Sequence, residues 1–309
     1  MLDYDVIIVG GGPAGLTAGI YLGRAKYRVL LLEKEQFGGQ LKNVERIENY
    51  PGFAEGIGGP QLAAAMVDQA IRCGVELEQG EVTGIESFTS CRSVFCANGK
   101  SFTSLAIILA GGSHSKPLAV PGEQAFQRKG IIHCALCDGG QFADGVVAVC
   151  GGGDAGVTEA LYLTKLASRV IIIEALPGLT ATAVLQKRAR ANPKIEIRCG
   201  ERVREIKGGQ SVGEIVVTHH ETGKEQSLAV DGVLVHVGIE PNTEYLDGTV
   251  PLDERGQILV GSQLETELSY VYAAGDIRAG SPWQVASAVG DGATAAIALQ
   301  RMLQMSDAR

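Results

Sequence analysis

Two cysteines are separated by two residues, a spacing that suits redox chemistry. The segment from Cys134 to Asp138 reads CALCD. Such a pair can close a disulfide within one turn of chain, and its thiol pKa is often lowered, which favours thiolate chemistry. A zinc site would need two further ligands, and Cys91 with Cys96, the only other close pair, has an unsuitable spacing on a predicted strand. The pair is therefore predicted to be a catalytic redox centre, with a structural, inert pair or a zinc site as the alternatives.

Two glycine-rich turns carry a second spacing with chemical meaning. Residues Gly10 to Gly15 read GGGPAG and residues Gly151 to Gly156 read GGGDAG, so both contain the pattern G-x-G-x-x-G. The first glycine of this pattern permits a tight bend, the second lets the backbone approach a pyrophosphate, and the third lets helix and strand pack closely. The helix that follows presents free N–H groups and a positive dipole end to the phosphates. The chain is therefore predicted to contain two dinucleotide-binding turns.

An acidic residue follows each turn, at the position that meets the adenosine ribose. These residues are Glu33 and Glu174. A carboxylate there accepts hydrogen bonds from the ribose 2′-hydroxyl and repels a 2′-phosphate. No Arg or Lys occurs from Ala175 to Gln186, where a cation for NADP would be needed. The second site is therefore predicted to take an unphosphorylated adenosine, as in NADH or FAD, and the alternative is a domain that has kept its fold without its ligand.

The elements that must position these turns form the same series in both copies, namely strand, glycine turn, helix, strand and acid. The first copy is predicted as a strand from Asp5 to Val9, a helix to Arg24 and a strand from Arg28 to Leu32. The second copy, 141 residues later, is predicted as a strand from Val146 to Cys150, a helix to about Ala167 and a strand from Arg169 to Ile173.

Proline and glycine breaks divide the chain around the second copy. Buried strands are predicted from Thr103 to Gly112 and from Val233 to Gly238, each followed by a proline break that is typical of a domain crossing. After the second break, only a strand from Tyr270 to Ala274 and a helix from about Gln284 to Leu303 are predicted, too little for a separate domain. We therefore predict an α/β fold with two Rossmann-like three-layer nucleotide-binding domains, the second inserted in the first. The expected bounds are 1–115 and 243–309 for the first domain and 116–242 for the second.

Composition excludes several classes of protein. The net charge of −8 and the lack of a long basic run argue against a nucleic-acid partner. The longest apolar stretch, Ser104 to Gly112, is far shorter than the roughly 20 residues of a membrane helix. Acidic residues at the start leave no room for a signal peptide, and seven cysteines do not form a secreted disulfide framework, so a cytoplasmic protein is expected.

Several longer motifs together resemble one enzyme family. They are GGGPAG at Gly10, GGQL at Gly38, IENYPGF at Ile47, CALCDG at Cys134, GIEPNT at Gly238, AAGDI at Ala273 and GDGATAA at Gly290. Over nearly its whole length the chain resembles the low-molecular-weight thioredoxin reductases, flavoprotein disulfide reductases with an FAD domain and an inserted pyridine-nucleotide domain. The larger disulfide reductases of the glutathione reductase type carry a C-x₄-C after the first unit, and residues 38–50 contain no cysteine.

The resemblance implies two sets of cofactor-binding residues. FAD would be held by Gly10, Gly12, Pro13, Ala14, Gly15, Glu33, Gly39, Gln40, Asn49, Val82, Gly275, Asp276, Gln284 and Val285. The second site would be formed by Gly151, Gly153, Asp154, Ala155, Gly156 and Glu174. Gln284 and Val285 would meet the isoalloxazine ring where the last helix begins. From the residues alone, Asn49 could equally be a turn residue and Asp276 a helix cap.

The resemblance also implies a mechanism and partners. Electrons would pass from FAD to the Cys134–Cys137 disulfide and then to a disulfide of a thioredoxin-like protein. Cys137 would be the flavin-proximal thiol, Cys134 the exchange thiol and Asp138 the group that gives or takes the thiol proton. His133 is expected to be a bystander, although histidine can titrate near neutrality. A homodimer is what the resemblance implies.

Two departures from the family pattern concern the electron donor. Typical members bind NADPH with a basic cluster of the His-Arg-Arg type, where this chain has EALPGL from Glu174 to Leu179, and they commonly have alanine where this chain has Gly156. Trp283, the only tryptophan, stands where the family commonly has arginine. It is either a buried packing residue or a ring that lies over the flavin and obstructs a nicotinamide. We therefore expect a donor other than NADPH: NADH, a second FAD or a redox protein such as ferredoxin.

Two other functions remain open on the residues alone. One is a dithiol oxidase that passes electrons to oxygen. The other is a non-enzymatic redox sensor that uses the cysteine pair as a switch.

Overall fold

The computed structural model describes residues 2–246 and 248–307. They form two compact units. The first contains the chain up to His114 and again from Glu240 onward, and the second contains Ser115 to Ile239. The divisions after residues 114 and 239 lie one and three residues before the bounds expected from the sequence.

Both units contain strands and helices. The strands are β1 (Tyr4–Val9), β2 (Val29–Glu33), β3 (Glu76–Gln79), β4 (Val82–Ser87), β5 (Arg92–Cys96), β6 (Ser101–Leu109), β7 (Ser113–Ser115), β8 (Ile131–Ile132), β9 (Val146–Cys150), β10 (Arg169–Glu174), β11 (Ile195–Cys199), β12 (Glu201–Gly208), β13 (Val212–His219), β14 (Glu225–Ala229), β15 (Gly232–Val235), β16 (Ile239–Pro241) and β17 (Val271–Ala273). The helices are α1 (Pro13–Arg24), α2 (Gly59–Arg72), α3 (Ala135–Asp138), α4 (Asp154–Leu163), α5 (Ala183–Ala191) and α6 (Val285–Asp307). Short 3₁₀ helices lie at Gly39–Asn43, Gln124–Phe126, Gly139–Phe142 and Glu244–Leu246.

The first unit is built on a mixed sheet whose centre is parallel. Its strand order is β3-β2-β1-β6-β5-β4, with β17 also parallel to β6, while β5 and β4 are antiparallel additions. Side chains alternate along β1, so Val6 and Ile8 pack with α1, α2 and α6 on one face, while Ile7 and Val9 pack against the segment around Ile258 on the other. Burial of each such side chain contributes about 2 kcal/mol. The carboxyl end of β1, where the first glycine turn begins, is therefore rigidly placed.

The second unit repeats this plan with a smaller sheet. Strands β11-β10-β9-β15-β8 are all parallel. Val147 and Val149 of β9 face the helices α3, α4 and α5, while Ala148 and Cys150 face a three-stranded antiparallel sheet of β12, β13 and β14. Both units thus have the predicted α/β nucleotide-binding architecture.

Most element bounds lie close to those expected, and one helix is shorter. Strand β9 spans the residues predicted for it, whereas α4 ends at Leu163 rather than near Ala167. The chain leaves the helix in tight turns, with the N–H of Lys165 bonded to Tyr162 O and the N–H of Leu166 bonded to Leu163 O. The hydroxyl of Thr164 donates to Leu161 O and supports the same turn.

Across the described residues, the helices are all too short or too polar to cross a lipid bilayer.

Candidate active site and dinucleotide turns

The first glycine turn joins β1 to α1 and has no room for larger residues. Gly10 has a φ of +111°, and a Cβ there would lie 2.2 Å from Ala110 O. A Cβ on Gly15 would lie 1.9 Å from Gly10 O. At Gly12, by contrast, nothing lies within 4 Å of an added Cβ, so this side of the turn is open. Helix α1 begins at Pro13 directly behind this opening, which gives the turn the free N–H groups and space that a pyrophosphate needs.

The carboxylate of Glu33 braces this turn. Its Oε2 accepts the N–H of Gly11 at 2.7 Å, and its Oε1 accepts the N–H of Glu35 at 2.9 Å. A carboxylate oxygen has a further lone pair, so both oxygens can still accept a hydroxyl proton. Glu33 can therefore hold a ribose hydroxyl while it keeps the turn in place.

The second turn has the same geometry, between β9 and α4. Gly151 has a φ of +116°, and a Cβ there would lie 2.0 Å from His236 O. A Cβ on Gly156 would lie 2.2 Å from Gly151 O, so alanine does not fit this backbone. The close approach of α4 to the turn explains why glycine stands at this position.

Glu174 repeats the role of Glu33. Its Oε2 accepts the N–H of Gly152 at 2.6 Å, and its Oε1 accepts the N–H of Leu176 at 2.9 Å. The residue is only 8% exposed. A negative charge is thus held at the end of β10, where the adenosine ribose of a dinucleotide would lie.

Two threonines near the second turn were missed by sequence reasoning. The N–H groups of Thr180 and Ala181 both donate to Gly152 O at 3.0 Å, and Thr180 Oγ1 lies 3.6 Å from an added Cβ on Gly153. The N–H of Thr182 donates to Asp154 Oδ1 at 2.6 Å. A loop after Glu174 therefore lies against the turn. The two threonines of this loop are the sequence feature from which the contact could have been predicted.

Sequence reasoning also missed a cation in α5. Burial raises the pKa of the Cys199 thiol, Glu174 raises it further, and Arg190 opposes the rise. The charges of Glu174 and Arg190 therefore act on the same thiol. The segment 175–186, in which the sequence has no phosphate-binding cation, ends four residues before Arg190.

Residues assigned to the flavin end come together in the first unit. Asn49 Nδ2 donates to Gln284 Oε1 at 2.9 Å, although the two residues are 235 positions apart. The side chain thus crosses to the start of α6, which begins at Val285. Gln40 Nε2 donates to Ser113 O and approaches Ser113 Oγ at 3.3 Å.

Gly275 and Asp276 form a loop against α1 and α6. Gly275 has a φ of +82°, and a Cβ there would lie 2.9 Å from Ala14 Cβ. Burial raises the pKa of Asp276, and a hydrogen bond from Ser281 Oγ at 3.2 Å opposes the rise. The next helix, α6, begins only at Val285, so the alternative that Asp276 is a helix cap is wrong.

An ion pair that holds this loop was also missed. Asp291 accepts from Arg278 Nε at 2.7 Å and Arg278 Nη2 at 2.9 Å, and Asp291 Oδ2 also accepts the N–H of Gly275 at 3.0 Å. The motif GDGATAA contains Asp291 and was the available signal.

The remaining assigned residues lie at the edges of the first site. Gly39 has a φ of +54°, and a Cβ there would lie 3.0 Å from Gly12 Cα. Val82 is half-buried at the start of β4. Trp283 has a φ of +55° and is 43% exposed, so of its two alternatives the buried packing residue is wrong.

The cysteine pair is a disulfide at the start of α3. Cys134 and Cys137 are bonded, and Cys134 Sγ accepts the N–H of Cys137 at 3.0 Å. Cys134 is 6% exposed, whereas Cys137 and Asp138 are exposed. Within the described chain, Cys91 and Cys96 are free thiols, and the His, Cys, Asp and Glu side chains form no group of three suited to a metal ion.

Comparison with known proteins agrees with this arrangement of sites. A family model described as pyridine nucleotide-disulphide oxidoreductase matches residues 4–292. The chain belongs to the pyridine nucleotide-disulphide oxidoreductase family. The thioredoxin reductase of Bacillus subtilis (strain 168) is 37% identical over 302 residues, which cover 97% of this chain and 95% of the relative. The crystal structure of thioredoxin reductase from Lactococcus lactis matches with a TM-score of 0.95 and 36% identity, covering 98% of this chain and 100% of that one.

Within the family, the chain is a thioredoxin reductase-like flavin disulfide oxidoreductase. A more distant match is a ferredoxin-flavin thioredoxin reductase from Clostridium acetobutylicum, with 28% identity, a TM-score of 0.53 and 98% of each chain covered. FAD fits the first turn, since the opening at Gly12 accommodates a pyrophosphate and Glu33 is positioned to accept a ribose hydroxyl.

Proposed function

We propose that this enzyme passes electrons from FAD, bound in the first unit, through the Cys134–Cys137 disulfide to the disulfide of a thioredoxin-like protein. The observation that carries the proposal is the Cys134–Cys137 disulfide at the start of α3, in a chain that also carries two dinucleotide turns. The curated relatives named thioredoxin reductase support the choice of partner. Bound FAD would supply two-electron transfer between the donor and the cysteine disulfide.

The residues of the first unit would hold and orient this cofactor. The turn from Gly10 to Gly15 and the start of α1 would bind the pyrophosphate, and Glu33 the ribose. The start of α6, with Gln284 bonded to Asn49, would face the isoalloxazine ring. The positive end of the α6 dipole would stabilise negative charge there.

The cysteines would reduce the partner by two exchange steps. The Cys134 thiolate attacks one partner sulfur, so the partner S–S bond breaks and a mixed disulfide forms with release of a partner thiolate. The Cys137 thiolate then attacks Cys134 Sγ, which restores the intrachain disulfide and releases the second partner thiolate. Asp138 would take and give the thiol protons, so that two electrons and two protons reach the partner in total. Cys134 is buried in the disulfide form, so it must become accessible after reduction.

We further propose that the donor is not NADPH. The support is the Glu174 carboxylate, which is nearly buried and fixed by two N–H groups where a 2′-phosphate would lie. Two like charges in such a place repel each other strongly. NADH, a second FAD or a redox protein would meet no such repulsion, and the Clostridium relative is named for ferredoxin. Arg190, whose charge acts on the same Cys199 thiol as Glu174, is the cation with which this argument is tested.

Anaerobic mixing of the flavin-loaded enzyme with NADPH or NADH tests the donor directly. We expect little bleaching of the flavin by NADPH at micromolar concentration, in the wild type and in Arg190→Ala alike. Rapid bleaching by NADPH that disappears in Arg190→Ala would overturn the donor proposal and assign the phosphate to Arg190. Flavin content then separates the remaining donors, because two flavins per chain would indicate a second FAD and one would exclude it.

A test of the disulfide reductase itself is independent of the donor. Flavin-loaded enzyme that is fully reduced with dithionite and freed of excess reductant should reduce up to two oxidised thioredoxins per chain, because the reduced FAD and the dithiol each carry two electrons. Absence of this transfer would overturn the proposed partner whatever the donor is.

A further inference from the structure

Two side chains in the second unit form a pair bonded to the peptide that follows Cys134 and have no part in the mechanism above. They are Glu159 on α4 and His236 after β15. We infer that they act as a positioning pair that controls how readily Cys134 becomes a thiolate. The inference rests on the proposed function and adds to it the residues that would regulate the exchange thiol.

Glu159 is bonded to the peptide that follows Cys134. Its Oε2 accepts the N–H of Ala135 at 2.6 Å. Ala135 is the first residue of α3, so its N–H has no partner within the helix and is held by Glu159 instead. The carboxylate therefore occupies the peptide donor that directly follows Cys134 and places a negative charge beside this peptide.

His236 faces the other oxygen of the same carboxylate. Its Nε2 lies 3.1 Å from Glu159 Oε1, and both side chains are 14% exposed. The Nε2 atom is buried and makes no hydrogen bond to any residue that the structure describes, although it lies this close to the carboxylate. A proton on Nε2 would convert this contact, after a small ring rotation, into a charge-assisted hydrogen bond. The buried pair can therefore be a bare carboxylate beside a neutral ring or a compensated ion pair.

Other charged groups around this pair are held by partners of their own or lie in solvent. Burial lowers the pKa of His133, His236 lowers it further, and Glu123 and Asp138 oppose the change. Glu123 is 3% exposed and accepts the N–H groups of Leu118 at 2.8 Å and Ala119 at 2.7 Å.

Two further titratable groups lie on or beside α4. Tyr162 faces Gly139, whose added Cβ would lie 3.9 Å from Tyr162 Cε1, and the ammonium of Lys165 stands 5.4 Å from the centre of the Tyr162 ring. Glu159 differs from all these groups because its carboxylate is bonded to the peptide of the cysteine pair itself.

The charge on Glu159 matters only in the reduced enzyme. In the disulfide state neither sulfur is charged, so the carboxylate meets no like charge at Cys134. After reduction, a Cys134 thiolate forms beside the carboxylate, which disfavours the thiolate unless His236 carries a proton. A less stable thiolate makes the dithiol a stronger reductant, because stabilising the reduced form makes a cysteine pair more oxidising. The pair would therefore favour electron transfer outward to the partner.

Glu159→Gln separates the charge from the hydrogen bond, since the amide oxygen can still accept the N–H of Ala135. In reduced protein that also carries Cys137→Ser, we expect iodoacetamide to modify Cys134 about ten times faster near neutral pH than with Glu159 present. The rate is measured from pH 6 to 9 by mass spectrometry of the peptide that contains Cys134. Glu221→Gln, an exposed glutamate of the same unit, is the matched control and should leave the rate unchanged.

A second readout uses the intact cysteine pair. In glutathione redox buffers, Glu159→Gln should shift the dithiol–disulfide equilibrium of Cys134 and Cys137 about tenfold toward the dithiol. His236→Gln should remove the neighbour of this carboxylate and shift the equilibrium the other way. Equal alkylation profiles and equal equilibria in the wild type and both variants would overturn the inference. Neither readout needs a thioredoxin-like partner, so failure to reduce such a partner would contradict the proposed function and leave this test intact.

Discussion

Replacing Glu174 by glutamine tests whether the second turn is braced by a carboxylate. In the wild type both Glu174 oxygens accept N–H groups, from Gly152 and Leu176. An amide has only one oxygen, so one of these N–H groups would face an NH₂ group. A hydrogen bond to a charged group is worth about 1.5–3 kcal/mol, so we expect the second unit to lose about 2 kcal/mol of unfolding free energy.

Differential scanning calorimetry measures this loss as a shift in the unfolding temperature. For a domain of this size, about 2 kcal/mol corresponds to a decrease of roughly 8 °C. Glu221→Gln, exposed in the same unit, should not change the unfolding temperature. The variant should also bind NADPH about tenfold more tightly relative to NADH, because a repulsive charge has been removed. An unchanged unfolding temperature in Glu174→Gln would refute the bracing role, and an unchanged nucleotide ratio would refute the electrostatic argument against NADPH.

Three further predictions concern single residues. Gly156→Ala should lower the unfolding temperature and weaken nucleotide binding at the second turn, because its Cβ would lie 2.2 Å from a carbonyl oxygen. Gly178→Ala is the control and should change neither property, because nothing lies within 4 Å of its added Cβ. Equal effects of the two substitutions in calorimetry would count against the packing argument. Burial raises the pKa of Asp276 above its ordinary 3.8, so its charged form costs stability as pH rises through the folded pKa. Asp276→Asn should accordingly stabilise the flavin-free protein at pH 7 but not below about pH 3, and a stabilisation that persists at low pH would contradict this account. Cys137→Ser should abolish catalytic disulfide reduction, retain FAD and trap the partner as a mixed disulfide on Cys134. If the partner is instead trapped only in Cys134→Ser, on Cys137, the assigned order of the two thiols is reversed.

The two units, their glycine turns and the acid after each turn could be predicted from the sequence because these features depend on neighbours along the chain. A glycine with φ near +111° between a buried strand and a helix leaves a local pattern, and so does the acid that ends the next strand. Because that pattern occurs twice, the sequence predicts two nucleotide-binding units. The end of α4 was misplaced because apolar periodicity continues past Leu163, while the backbone is turned by hydrogen bonds within the tight turn.

The parts that were missed depend on contacts between distant segments. The second face of the smaller sheet is covered by β12–β14 rather than by helices, and polar alternation in those strands did not reveal which sheet they would cover. Arg190, Asp291 and Glu159 are ordinary surface-type residues in the sequence. The influence of Arg190 on the pKa of the Cys199 thiol, and the hydrogen bonds of Asp291 to the Gly275 loop and of Glu159 to a peptide N–H, follow only from the packing of the helices that carry them.

The two braced turns have a consequence for the kinetics of ligand binding. Glu33 and Glu174 hold the N–H of the second glycine of each turn, Gly11 and Gly152, with groups of the protein itself. A dinucleotide therefore meets a loop whose conformational entropy has already been lost during folding. Affinity at such a site is not reduced by ordering the loop, and release of the ligand leaves the loop shape intact for the next one.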